Sequence, residues 1–236
     1  MLMVYNWLKN IQWWLYPPCC VVCGQPGAAR RDLCPACRQA LPWHAGPACR
    51  YCAEPLRHDT GLPCGRCLAS PPAFDRVLAP LTYASPVDSL ITGVKFHARL
   101  AYARVLGELL AAWIEEQGHA LPDALLPVPM HPARLASRGF NQARELARPA
   151  ARRFGLPLLG GAVTRSRDTP AQSTLGGRAR RANVKKAFAV RGTLPPRIAI
   201  VDDVVTTGAT VDALARALRQ AGAREITVWA VARAGG

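Results

Sequence analysis

No cysteine follows residue 67 in this chain of 236 residues, and acidic side chains almost vanish between residues 134 and 197, where only Glu145 and Asp168 occur. Aromatic residues make up 7% of the sequence and charged residues 19%, against 50% hydrophobic. So much apolar surface with so little charge excludes a disordered chain, which cannot bury enough to offset its conformational entropy. The 21 prolines and 19 glycines follow no period, which excludes a fibrous protein. A membrane span is missing too. The longest apolar candidate, residues 1–16, is broken by Asn6, Lys9, Asn10 and Gln12, whereas a spanning helix needs about 20 apolar residues. That stretch has neither a basic start nor a small-residue cleavage site, so a cytoplasmic location is expected. The length predicts one or two domains with a sizeable core.

The charge that is present is one-sided. Lys and Arg number 30 against 15 Asp and Glu, for a net charge of +15. Residues 1–133 hold 11 basic and 9 acidic side chains, and residues 198–236 hold 4 of each. Residues 134–197 hold 15 basic and 2 acidic, so almost the whole excess sits there. A merely solvated surface mixes both signs. A field of one sign this dense opposes folding unless an anion meets it.

All 9 cysteines lie between residues 19 and 67. Eight form Cys-x-x-Cys units: Cys20/Cys23, Cys34/Cys37, Cys49/Cys52 and Cys64/Cys67, with Cys19 left over. In a reducing compartment such pairs read as thiolate ligands for structural zinc and not as disulfides. Two residues between cysteines allow a knuckle that aims both sulfurs at one ion, and two knuckles complete a tetrahedron. The separations predict short hairpins between consecutive units. We therefore pair the first two units on one zinc and the last two on another, although spacing alone also allows interleaving. All-sulfur sites are closed, so their role is folding and recognition.

Ahead of the cysteines, Val4, Trp7, Leu8, Ile11, Trp14 and Leu15 recur at helical spacing, and Pro17-Pro18 ends that pattern. This predicts an amphipathic helix over residues 1–18 that docks on the rest of the protein. Pro63, Ser70, Pro71 and Pro72 mark a linker. Beyond it the texture alternates between helices and strands: helices over 88–117, a strand at 124–129, and a helix over 140–154 that Pro149 should kink or shorten. A strand at 187–190, a buried strand at 197–203, a helix over 210–221 and a strand at 226–231 follow. Strand–helix–strand with short connections predicts a parallel α/β sheet.

Chemistry concentrates at the end of the buried strand. Ile198, Ala199, Ile200 and Val201 run unbroken into Asp202 and Asp203. Two adjacent carboxylates at the carboxyl end of a central strand need compensation, because burying them unpaired is costly. A vicinal diol or a divalent metal would supply it. The loop that follows, Thr206-Thr207-Gly208-Ala209-Thr210, offers hydroxyls and helix-terminal N–H groups, the makings of a phosphate cradle. Acid pair and cradle together specify a ribose 5-phosphate.

This stretch resembles the phosphoribosyl pyrophosphate (PRPP) signature of type I phosphoribosyltransferases. The block from Leu126 to Gln142, the pattern Arg167, Gln172, Leu175, Arg178, Asn183 and Phe188, and Tyr83, Leu90-Ile91 and Lys95-Phe96 are similar to the competence protein F (ComF) family. That family sets a double zinc ribbon before a phosphoribosyltransferase-like domain. The resemblance implies a double zinc ribbon over 19–72 and a type I phosphoribosyltransferase-like α/β domain over 73–236. It implies that Asp202 and Asp203 hold ribose hydroxyls, that Thr206, Thr207, Gly208, Ala209 and Thr210 hold the 5-phosphate, and that Mg²⁺ comes with PRPP. Arg134 and Arg138, four apart, can share a helical face and clamp pyrophosphate, with Gly139 allowing close backbone approach. Asn141 and Gln142 could add neutral hydrogen bonds.

The basic run containing Arg178, Arg180, Arg181, Lys185 and Lys186 has few apolar anchors, which predicts a loop. Such a loop suits closure over the site or contact with a nucleic-acid backbone. Two functions follow. One is phosphoribosyl transfer with release of pyrophosphate to an acceptor the sequence does not name. The other, implied by the ComF resemblance, is handling of single-stranded DNA during uptake in natural transformation, together with the uptake machinery, the PRPP site then being regulatory or vestigial.

Overall fold

The computed structural model describes residues 17–28, 31–59, 61–165 and 187–235. The expected N-terminal helix therefore lies outside the described residues. Two short helices, α1 (Pro35–Gln39) and α2 (Gly65–Ala69), belong to the cysteine-rich segment. The remainder runs β1 (Arg76–Leu78), β2 (Leu81–Thr82), α3 (Val87–His97), α4 (Leu100–Glu116), β3 (Ala124–Pro127), α5 (Pro132–Arg138) and α6 (Gln142–Phe154). It continues through β4 (Val163–Arg165), β5 (Phe188–Val190), β6 (Arg197–Val205), α7 (Ala209–Gln220) and β7 (Glu225–Arg233).

The main sheet has the order β1–β7–β6–β3, with β2 also pairing β7, and every pairing is parallel. This is the α/β architecture that the strand–helix alternation predicts. β6 is central: Ile198 pairs Ala124 on one side and Ile226 on the other. A parallel strand covered on both faces has to be apolar on both. Ala199 and Val201 accordingly pack with Leu106, Leu110 and Leu146 of α4 and α6. Ile198 and Ile200 pack with Val211, Leu214 and Leu218 of α7. The strand expected at 187–190 forms β5, but it pairs antiparallel with β4 in a separate two-stranded sheet.

α6 continues through Pro149 for 13 residues, where the sequence suggested a kink or a stop. The ring finds compensation in packing, since α4 crosses α6 at Gly107. A Cβ built on Gly107 would stand 2.4 Å from the Leu146 carbonyl oxygen and 2.9 Å from Pro149 Cγ. The glycine brings the two backbones into contact, and the apolar ring fills the space where a hydrogen bond is lost.

The sulfurs gather as the sequence pairing expects. Cys20, Cys23, Cys34 and Cys37 form one cluster and Cys49, Cys52, Cys64 and Cys67 another, the ligand atoms of each lying within 4.8 Å of one another. Cys23 and Cys34 sulfurs are 3.7 Å apart, and those of Cys52 and Cys64 are 3.6 Å apart. A ZnS₄ tetrahedron with Zn–S of about 2.3 Å has an edge of roughly 3.8 Å, so the clusters fit zinc and are far too open for disulfides. In the first cluster burial raises the Cys20 thiol, but backbone N–H groups of Cys34, Cys23 and Val22 outweigh it and bring its pKa down to about 6. Cys37 is pushed up, first by the Cys23 sulfur. Cys49 falls to about 6 as N–H groups of Cys52, Cys64 and Tyr51 outweigh burial, while burial and then Cys52 push Cys67 up. Each set holds thiols that cannot all ionise together without a cation between them.

The cysteine-rich segment is fastened to the sheet. Thr82 N–H donates to Pro42 O at 2.8 Å, His44 N–H to Pro80 O at 2.7 Å and Val77 N–H to Tyr51 O at 2.7 Å. Cys20, Leu33, Cys34 and Leu41 share a core cluster with α3 and α4. Arg233, 1% exposed at the end of β7, donates to Cys52 O and to Val205 O at 2.9 Å each and pairs with Glu54.

Elemental analysis of the purified protein is expected to find two zinc ions per chain, and stripping them with a chelator should lower Tm by about 10 °C or more, because metal affinity here is folding energy. Less than two per chain would overturn the pairing. Gly107→Ala should destabilise by roughly 1–3 kcal/mol in denaturant unfolding, since backbone and ring must both move apart.

Candidate functional site

Successive side chains of a strand leave on opposite faces, and this decides the geometry of the acid pair. Asp203 follows the parity of Ala199 and Val201 and points toward α3. It is 5% exposed, and its Oδ2 lies 2.8 Å from Lys95 Nζ, near the C-terminal end of that helix. Its Oδ1 accepts from Val204 N–H at 2.8 Å. Asp202 follows Ile198 and Ile200 and faces α7. Its Oδ1 accepts from Asp203 N–H at 2.9 Å, and among the described residues no cation pairs with it. The sequence treated the two acids as one unit; the structure puts one on each face.

Asp202 and the loop 206–210 line one small cavity of about 50 Å³. Gly208 sits at φ 77°, ψ 0° immediately before α7, a left-handed turn that a side chain would strain. Ala209 N–H points back to Thr207 Oγ1 at 3.4 Å, and Thr206 and Thr207 are exposed. The first turn of a 12-residue helix therefore opens beside a carboxylate, with hydroxyls around it.

Arg134 and Arg138 lie on α5, which Gly139 ends at φ 79°. Arg138 donates to Gln142 Oε1 at 2.7 Å, and its guanidinium lies 5.8 Å from the centre of the Phe96 ring. Asn141 caps α6, accepting from Ala143 N–H at 2.9 Å while its Nδ2 donates to Val128 O at 3.0 Å. Asn141 and Gln142 are thus committed to holding this loop, and Asn141 ties it to the exit of β3. Phe96 is 70% exposed and follows Lys95 directly, so the end of α3 touches both the acid pair and the arginine helix. From sequence Lys95 is only a weak candidate, because amphipathic helices carry lysines routinely. Its signal was the Lys95-Phe96 dipeptide within the ComF resemblance. Arg178, Arg180, Arg181, Lys185 and Lys186 lie outside the described residues.

Burial first, and then the Asp203 charge, push the Asp202 carboxyl up to about 8. The Asp203 N–H, Lys95 and Arg165 oppose this without overcoming it. The folded protein thus favours a neutral Asp202, and ionising it costs stability as pH rises from the ordinary carboxylate range toward 8. Asp202→Asn should raise Tm, with an increment near zero at acid pH that grows until about pH 8. A constant or negative increment across that range in thermal melts would contradict this electrostatic assignment.

Among the described residues no helix is long and apolar enough to cross a membrane. The double zinc ribbon domain family matches residues 11–68. DNA utilization protein YhgH of Escherichia coli K12 is 37% identical over 223 residues, covering 92% of this chain and 97% of that protein. Competence protein F of Haemophilus influenzae is 34% identical over 224 residues, covering 91% and 96%. A crystal structure of purine phosphoribosyltransferase from Pyrococcus horikoshii aligns with 52% of this chain and 66% of its own at 20% identity, with a TM-score of 0.31, too slight a likeness to argue from. Paired cysteine clusters at one end, an acid pair above a parallel sheet at the other, and relatives matched over nearly their full length make this chain a member of the competence protein F (ComF) family.

Proposed function

We propose that the protein binds PRPP with Mg²⁺ at the end of β6 and acts in the cytoplasmic handling of DNA during its uptake or use. The observation that carries the PRPP half is the shared cavity of Asp202 and the loop 206–210. A carboxyl without a cation partner stands there beside hydroxyls and a helix N-terminus, which suits ribose hydroxyls at one end and a 5-phosphate at the other. Thr206, Thr207, Gly208, Ala209 and Thr210 would hold that phosphate, and Asp202 and Asp203 the hydroxyls. Lys95 neutralises Asp203 so that two acids can coexist. Arg134, Arg138 and Gly139 would hold the pyrophosphate, with Phe96 supporting the Arg138 guanidinium. Bound Mg²⁺ would offset the charge of the pyrophosphate. In the catalytic form of this reading an acceptor displaces pyrophosphate at C1, and the protein contributes positioning and charge stabilisation. The DNA half draws on the basic excess of residues 134–197 and on the names of the relatives, a competence protein and DNA utilization proteins.

The test is calorimetric titration with PRPP and Mg²⁺. Wild-type binding should fall by about 100-fold or more in Asp202→Asn and in the Asp202→Asn/Asp203→Asn double variant, as charge-assisted bonds are each worth about 1.5–3 kcal/mol. Ribose hydroxyls favour the ionised carboxylate, so binding lowers a pKa that starts near 8 in the free protein. Affinity should therefore rise with pH toward that value and level off above it, with proton release seen as a dependence of heat on buffer ionisation enthalpy. No binding by the wild type would leave the signature as scaffold only. Equal binding by the variants would move the ligand elsewhere. Pyrophosphate release with added bases or amines then separates transfer from binding alone.

A further inference from the structure

A second concavity, with a volume of about 580 Å³, lies along the β3 edge of the sheet, lined by the exit of β3, one side of α5 with Gly139, and the start of α6. No residue of the 202–211 segment lines it. Its size falls in the range of about 300–1,000 Å³ of ligand sites. Phe140 and Leu159 contribute an apolar floor, and Arg144, Arg148 and Arg165 its cationic part. The single acid, Glu145, is paired with Arg148. Arg144 has no ion-pair partner among the described residues, and its guanidinium lies beside Gly160, where a Cβ would come within 3.4 Å of it. Arg165 lies over the Phe188 ring of β5 at 5.7 Å, which fixes it on this side of the hairpin.

We infer that this groove takes single-stranded DNA. The inference rests on the DNA half of the reading above and gives it a place in the fold. Arg144 and Arg148 stand one helical turn apart on α6, about 6 Å along its axis, a spacing comparable to that of successive phosphates in an extended strand. The apolar floor with its aromatic ring accepts a base that has left its stack, which a duplex does not offer. Three arginines against one paired acid give the groove the sign a phosphodiester chain needs. An acidic peptide would meet the arginines, but only a nucleic-acid strand sets a planar base beside every charge.

Fluorescence anisotropy with a labelled oligothymidylate of about 20 nucleotides tests this on the full-length, zinc-loaded protein between about 50 and 200 mM salt. Arg144→Ala/Arg148→Ala should weaken binding about tenfold or more and reduce the salt slope by about 1.4, two phosphates at roughly 0.7 each. Arg144→Lys/Arg148→Lys should keep the slope, and Phe140→Leu should weaken binding about fivefold with the slope unchanged. Thermal melts matching the wild type confirm that each variant is folded. If the wild type binds and the double alanine variant binds equally with the same slope, the groove assignment falls while the DNA reading stands. If the wild type does not bind at low salt, the DNA reading falls and takes this inference with it.

Discussion

Carboxylates cannot be held at the end of a buried strand without an answer to their charge, and the arrangement around β6 is that answer. The strand is apolar on both faces up to Val201 because α4 and α6 cover one side and α7 the other. Its continuation through Val205 buries Asp203 and leaves Asp202 half-buried beside a small cavity. Lys95 meets Asp203 directly, while Asp202 keeps its proton up to about pH 8. One acid is settled by an ion pair within the fold. The other is left poised beside an open cradle. In the proposed reading, ribose hydroxyls would supply donors for the second carboxylate.

The cysteine-rich segment is part of the same structural economy. Its first cluster contributes Cys20 and Cys34 to the core around α3 and α4, so that knuckle is packed as part of the helical layer. Its second cluster is reached by Arg233, whose buried guanidinium bonds the Cys52 carbonyl on one side and the end of β6 on the other. Removing such a group leaves buried acceptors unpaired, which costs more than the bonds themselves contribute. Arg233 thus bonds the cysteine-rich segment to the end of β6, where Ala53 also packs in one core cluster with Ile200 and Val205.

The basic excess is divided by the fold. Arg134 and Arg138 sit on α5 beside the end of α3, whereas Arg144 and Arg148 line the groove along α6. Asn141 stands between them, capping α6 and pinning the loop to Val128. A short loop tied at both ends thus lies between Arg134 and Arg138 on one side and Arg144 and Arg148 on the other. The paired acid Glu145 tempers the second surface without reversing its sign.

Much of this was legible in the residues. Four Cys-x-x-Cys units read as metal ligands whatever surrounds them, and their consecutive pairing, which the hairpin lengths favoured without excluding interleaving, is the one the two sulfur clusters show. An unbroken apolar run into Asp202-Asp203, with Thr206 to Thr210 behind it, fits the end of a buried parallel strand followed by a helix, which is where β6 and α7 place it. The span of α6 was misjudged at Pro149, since a proline's penalty is local while its compensation at Gly107 comes from a helix about 40 positions away in sequence. Lys95 stayed a weak candidate for the same reason: more than 100 residues separate it from Asp203, and a lysine on an amphipathic helix looks like any other until its partner is in place. The sequence by itself determined the ligand types, the strand that carries the acids and the sign of the surface, because these depend on side-chain chemistry and local period. Tertiary structure alone decided that Asp202 and Asp203 leave on opposite faces, that one is neutralised and the other poised, and that the arginines split into two surfaces, because burial and charge compensation arise only where distant segments meet.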